Sequence, residues 1–135
     1  ILDIGCGCGI IIDQLAQQYP GAQLLGSDVS HLAISSTVQN NPYVTAHRSA
    51  SLSFAAPESL DLIVTNPPFH DGHRNAIGPT LQLFQEAKEK LTANGFLVIV
   101  ANRHLNYTTH LDRLFTEVIE IATNKKFVIY RCAKA

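Results

Sequence analysis

Asn66-Pro67-Pro68-Phe69 follows directly on the apolar run Leu60-Asp61-Leu62-Ile63-Val64, in the stretch TNPPFHDG. Proline has no amide donor and cannot sit inside a sheet, so a strand over that run must stop at Asn66. The stiff turn that results offers two acceptors, the Asn66 side-chain oxygen and the Pro67 carbonyl. An amino group conjugated to a purine ring or a carbonyl is a poor nucleophile because its lone pair is delocalised. Two fixed acceptors can hold its two N–H groups and steer the lone pair toward an electrophile, so positioning and electrostatics supply most of the rate. Phe69 presents a face on which a planar base can stack.

A second stretch, DIGCGCG, places glycines at 5, 7 and 9 between a strand-like ILDI and a helical run. Such a loop lets the backbone approach a ligand closely while helix-terminal amides face it. Its GxGxG spacing differs from the dinucleotide fingerprint GxGxxG. Asp28, 19 residues after Gly9, closes the next apolar run, where an acidic side chain can accept both hydroxyls of a ribose. Loop and acid together indicate a nucleoside-containing cofactor. The plainer readings, a simple turn and a simple helix cap, leave unexplained why both fall where open α/β sheets bind ligands. Asp3 narrows the choice: beside the loop it would repel a pyrophosphate, and it suits a cationic amino-acid tail such as that of S-adenosylmethionine. A polar residue ending a strand is the ordinary alternative.

The elements that must position these residues alternate. Strands are expected at Ile1 to Ile4, Gln23 to Ser27, Tyr43 to His47, Leu60 to Thr65 and Phe96 to Ala101. Helices fall from Ile10 to Tyr19, from Ser30 to Gln39, and on the face Ile77, Leu81, Phe84, Ala87, Lys88 and Leu91. Pro20-Gly21 ends the first helix, Ser30 caps the second, Asn40-Asn41-Pro42 ends it, and Asn94-Gly95 stops the third. This alternation predicts a parallel sheet with helices on both faces. Glu117 to Ala122 and Phe127 to Cys132, joined by Thr123-Asn124-Lys125-Lys126, read instead as an antiparallel hairpin. The expected fold is α/β, Rossmann-like, with a seven-stranded, mostly parallel sheet that ends in that hairpin.

With 135 residues, 46% of them apolar and 16% charged, the chain supports one domain over residues 1–135. It has no apolar run long enough to span a membrane. It has no methionine and opens on a strand, which reads as a fragment lacking its N-terminal part. A net charge of −1 argues against holding nucleic acid through the overall field, so an RNA partner needs a local basic patch or the missing segment. Three cysteines, Cys6, Cys8 and Cys132, form no disulfide framework and suit a reducing cytoplasm.

DIGCGCG, Asp28 and NPPF together resemble the seven-strand S-adenosylmethionine-dependent methyltransferases that modify an exocyclic or amide nitrogen. More narrowly, NPPFH, VANRHLNY and ATNKKFVIYRCAK resemble the ribosomal RNA guanine-N2 methyltransferases, the last two stretches being closer to the large-subunit enzyme. The likeness runs over nearly the whole chain and matches the catalytic, C-terminal half of that family. It implies methyl transfer from S-adenosylmethionine to N2 of a guanine flipped out of ribosomal RNA, either naked or in a subunit. Asn66, Pro67, Pro68 and Phe69 are then the catalytic set. Asp3, Gly5, Cys6, Gly7, Asp28, Ser49 and Asn66 hold the cofactor, although Ser49 stands where the fold commonly offers Asp or Asn to adenine. Adenine N6 and a protein glutamine amide stay open as acceptors, since related motifs serve them. A silent cofactor-binding module is the alternative outside enzymology.

His70, Arg74 and Arg103 complete the expected substrate contacts. HDGHRNAIG reads as a flap over the substrate with Arg74 near phosphate, or as a solvated loop. Asn102, Arg103 and His104 leave their strand at the same edge, as substrate contacts or ordinary surface residues. Lys125 and Lys126 read as solvated. Neither His70-x-x-His73 nor Cys6-x-Cys8 has the spacing of a structural zinc site, so no metal is expected.

Overall fold

The structure, a computed structural model, describes residues 1–7, 9–66, 77–103 and 107–134. Along the chain run β1 (Leu2–Ile4), α1 (Ile10–Gln18), β2 (Leu25–Asp28), α2 (His31–Asn40), β3 (Thr45–Arg48) and β4 (Leu60–Thr65). They are followed by α3 (Ile77–Lys90), β5 (Leu91–Asn102), α4 (Thr108–Leu114), β6 (Glu117–Thr123) and β7 (Phe127–Ala133). The strands form one sheet in the order β3-β2-β1-β4-β5-β7-β6. Strands β1 to β5 pair in parallel, and β7 runs antiparallel to both β5 and β6. The expected parallel sheet with a terminal hairpin is therefore present. Its order reverses between β1 and β4, the place where open sheets of this kind form a ligand crevice.

Both faces of the sheet are covered. Leu2, Ile63, Leu97 and Ile99 pack with Phe84 of α3 and Leu111 of α4 in the main core. Cys6, Ile12, Leu24 and Val44 make a smaller cluster beneath α1. Ser30 caps α2 as expected, its hydroxyl accepting the Ala33 N–H at 3.2 Å.

Two elements depart from the sequence pattern. Helix α3 ends at Lys90, five residues before Gly95, because Leu91 is drawn into the core and pairs with Leu60. The carbonyls of Glu89 and Lys90, which would be orphaned there, accept the N–H groups of Glu58 and Ser59. Gly95 thus lies inside β5, where an added Cβ would crowd the Leu60 carbonyl and the Leu91 side chain. Helix α4 was not expected at all. Its sequence TTHLDRL has a β-branched start and weak propensity, and tertiary burial of Leu111, Phe115 and Tyr107 holds it in place.

Phe84 joins these parts, fully buried and edge-on to Tyr107 with ring centroids 5.5 Å apart. Phe84→Ala is expected to cost about 3–5 kcal/mol in urea unfolding. A loss below about 1 kcal/mol would show that α3 and α4 do not share one core.

Candidate active site

The glycine loop is shaped by its own backbone. Gly5, Gly7 and Gly9 all have positive φ, at 73°, 55° and 86°, a region that side chains disfavour. The N–H groups of Gly5 and Cys6 both donate to the Ser27 carbonyl, at 2.7 and 3.0 Å, which locks the loop onto the end of β2. Among the described residues nothing lies above Gly5 or Gly7, whereas a Cβ on Gly9 would run into the Asn41 side chain. The loop therefore has one face packed against α2 and one face that is bare among the described residues.

Thr37 provides that packing. Fully buried, it donates its hydroxyl to the Gly7 carbonyl at 2.7 Å and lies 3.2 Å from the Cys6 sulfur. Cys6 itself turns its side chain into the smaller core, and burial pushes its thiol pKa up. Its N–H is spent on the Ser27 carbonyl of β2, and its carbonyl accepts the Gly9 N–H at 2.9 Å. Any contribution of Cys6 to a ligand is consequently through the loop's shape.

Asp28, at the end of β2, accepts the Gly7 N–H at 3.2 Å through one oxygen and the Ser30 N–H at 2.9 Å through the other. Each oxygen keeps a further lone pair. The Ser49 N–H donates to the Asp28 carbonyl at 3.1 Å. Its hydroxyl turns inward, donating to the Ser51 carbonyl at 2.9 Å and accepting from the Ser51 N–H at 3.1 Å.

Asp3 is the anomaly. It is 1% exposed, and neither carboxylate oxygen has a hydrogen-bond partner. Burial first, and the nearby Asp28 charge second, raise its pKa to about 7. An unpaired acid in the middle of the sheet, with a second acid beside it, is a site whose electrostatics favour a cation.

A cleft of about 360 Å³ opens over this end of the sheet. Gly5, Asp28, Ser49 and Asn66 line it, together with Val29, Ala50, Pro79, Thr80 and Leu83. The structure thus brings three separately predicted features, the loop, the β2 acid and the residue ending β4, onto one cavity. A larger hollow of about 490 Å³ lies at the opposite edge against the stacked rings of His47 and Phe54. None of those features borders it. Pro67, Pro68, Phe69, His70 and Arg74 lie outside the described residues, as do Cys8, His73 and His104. Arg103 stands at the end of β5, where its guanidinium donates to the Asn124 carbonyl at 2.9 Å.

Sequence reasoning missed the far wall of the cleft. Pro79, Thr80 and Leu83 belong to the first turns of α3, and Thr80 is also hydrogen-bonded to Tyr107. Their signal was weak, since a helix's first turn facing a cavity has the same residue types as one facing a core.

The methyltransferase small domain family model matches residues 1–131. A ribosomal RNA large subunit methyltransferase G of Klebsiella pneumoniae is 38% identical over 142 residues, covering 99% of this chain and 38% of that protein. One from Stutzerimonas stutzeri is also 38% identical, over 100% of this chain and 38% of its own length. The chain therefore spans little more than a third of these relatives. Among solved structures, a T. Thermophilus 16S rRNA N2 methyltransferase in complex with AdoMet and guanosine superposes with a TM-score of 0.79. It is 25% identical, over 98% of this chain and 36% of that one. A ribosomal protein L11 methylase from Lactobacillus delbrueckii, 14% identical with a TM-score of 0.73 over 99% of this chain and 69% of that one, shares the fold. The chain belongs to the methyltransferase small domain family.

The buried acid has a measurable consequence. Its folded pKa of about 7 lies above that of an unfolded aspartate, so the folded protein holds the extra proton between about pH 4 and 7. Its stability contribution is full below that window and is lost as pH rises through 7. Asp3→Asn is expected to flatten this slope and to leave the ligand-free protein more stable than the unaltered one at pH 8. Parallel urea-unfolding profiles from pH 5 to 8 would contradict the assignment.

Proposed function

We propose that this methyltransferase small domain is the catalytic part of an enzyme that transfers a methyl group from S-adenosylmethionine to N2 of a guanine in ribosomal RNA. The observation that carries the proposal is the single cleft joining the bare glycine loop, the Asp28 carboxylate and Asn66, with the unpartnered Asp3 buried beside it. The relatives named as ribosomal RNA large subunit methyltransferases support the substrate class. The fold neighbour with AdoMet and guanosine supports both the cofactor and the base.

The residues fit that cofactor. Asp28 has lone pairs left to accept the ribose hydroxyls, and the open face above Gly5 and Gly7 admits the amino-acid portion. Asp3 supplies the negative charge that a cationic ammonium relieves. Val29, 62% exposed, with Ala50 and Leu83, offers apolar surface for a purine face, and Ser49 stands beside it. When bound, the cofactor supplies a methyl group on a sulfonium, an electrophile whose leaving group is a neutral thioether.

The chain itself holds the amine. Asn66 leaves β4 at the cleft, where its side-chain oxygen can accept one N–H of the guanine amine, and the carbonyl of Pro67 would accept the other. Held in this way, the nitrogen lone pair would face the methyl group that the bound cofactor would supply. One amine proton passes to solvent afterwards, and no strong general base is needed. Phe69 would stack the flipped base and Pro68 would stiffen the turn. The protein acts on ribosomal RNA or an assembled subunit in the cytoplasm.

The test uses the full-length protein with radiolabelled S-adenosylmethionine and unmodified ribosomal RNA. Label recovered as N2-methylguanosine is the expected result. Label in N6-methyladenosine or in a protein glutamine overturns the guanine reading, and cofactor binding without transfer overturns the enzyme reading. Asn66→Ala is expected to lower kcat by roughly 10²–10³, a larger effect than its loss of cofactor affinity. Unchanged turnover would remove Asn66 from the mechanism.

A further inference from the structure

Lys125 and Lys126 sit in the β6–β7 turn, which the mechanism above leaves unused. The turn is built rather than loose. The Asn124 side-chain oxygen accepts the N–H groups of Lys126 at 2.8 Å and Phe127 at 2.7 Å, and the Asn124 N–H donates to the Phe127 carbonyl at 2.9 Å. Arg103 fastens it to the end of β5. Its N–H donates to the Lys126 carbonyl at 3.0 Å and its guanidinium to the Asn124 carbonyl at 2.9 Å. The Lys126 ammonium lies 5.8 Å from the centre of the Phe127 ring.

Register places this turn relative to the amine-binding residue. Thr65 pairs with Ile99, so Asn66 is level with Val100, whose partner across β5–β7 is Ile129. Strand β5 continues to Asn102, which pairs with Phe127. The turn therefore rises three residues above Asn66 and lies two strands to its side, on the order of 10 Å in each direction. A base seated at Asn66 would carry its sugar and phosphates outward over a comparable distance. The hairpin thus forms a wall beside the mouth of the site, with its cations on top.

Those cations are also electrostatically available. Among the described residues the one ion pair is Lys134 with Glu58, which lies toward the opposite end of β5, where Lys134 also donates to the Leu91 carbonyl. The nearest acid along the hairpin, Glu120, is three residues down β6 and faces Tyr130 in the ladder. A chain of net charge −1 gains nothing for RNA from its overall field, so a local cluster on a preorganised turn is what can engage phosphate.

We infer that Lys125 and Lys126, held on the Asn124 turn and braced by Arg103, form a phosphate-binding ledge that grips the single-stranded RNA backbone flanking the target nucleotide. This rests on the reading of the site as an RNA methyltransferase. The lysines act as positioning residues: they hold the backbone while Asn66 holds the amine, and they touch neither cofactor nor reacting atoms.

The experiment measures steady-state methylation of unmodified ribosomal RNA by the full-length protein across a salt series. The variants are K125A/K126A, K125R/K126R and K88A/K90A, the last removing equal charge from the far end of α3. For K125A/K126A the ledge predicts an RNA KM raised about tenfold or more, unchanged kcat at saturating RNA, and a salt slope of log affinity smaller by roughly 1.4. K125R/K126R and K88A/K90A should both match the unaltered protein. Methylation by K125A/K126A with unaltered KM and slope overturns the ledge alone. An equal loss in K88A/K90A also overturns it, in favour of a general charge effect. Failure of the unaltered protein to methylate RNA overturns the functional reading, and the ledge with it.

Discussion

The site is organised around a carboxylate that has no partner. Asp3 occupies the middle of β1, an inner strand of the seven-stranded sheet, where a buried polar group without a hydrogen bond is costly. A fold that only needed a strand there would place an apolar residue, as it does at Leu2. Instead the chain keeps Asp3 within electrostatic range of Asp28, whose charge adds to burial in making Asp3 harder to ionise. Such a pair is stabilised when a cation arrives, and the bare face of the glycine loop is the way in.

Everything around that pair serves to leave one face open and close the others. Thr37 and Asn41 hold the loop from α2, and the Ser27 carbonyl holds it from β2. The first turns of α3 supply the opposite wall. Strands β4, β5 and β7 differ in how far they reach. Strand β4 stops early and delivers Asn66, while β5 and β7 continue past it. In the proposed reaction this difference in strand length separates the work. The short central strands meet the cofactor and the tall outer pair stands beside the acceptor.

Most of the architecture was legible because it rests on local punctuation and alternation. A proline cannot donate to a sheet, a serine can cap a helix and a glycine can take the positive φ that other residues disfavour, so β4 ends at Thr65, α2 begins after Ser30 and the loop turns after β1. The C-terminal hairpin was legible for the same reason, since four polar turn residues cannot accommodate a crossover helix. What could not be read depends on distant partners. Helix α3 stops early because Leu91 finds Leu60, and α4 forms because Leu111 and Tyr107 find Phe84. The Thr37 clamp on Gly7 spans thirty positions. Neither the absence of a partner for Asp3 nor the height of the hairpin above Asn66 follows from residue types; both follow from burial and register.

Counting protons when S-adenosylmethionine binds tests the role of the buried acid most directly. Calorimetric titration of the full-length protein at pH 6, in buffers of different ionisation enthalpy, reads the number released. Because Asp3 titrates near pH 7 without ligand and must be ionised beside an ammonium, release of about one proton per cofactor is predicted, falling to near zero in Asp3→Asn. The same proton count in both proteins would show that the buried acid is not the cofactor's counter-charge.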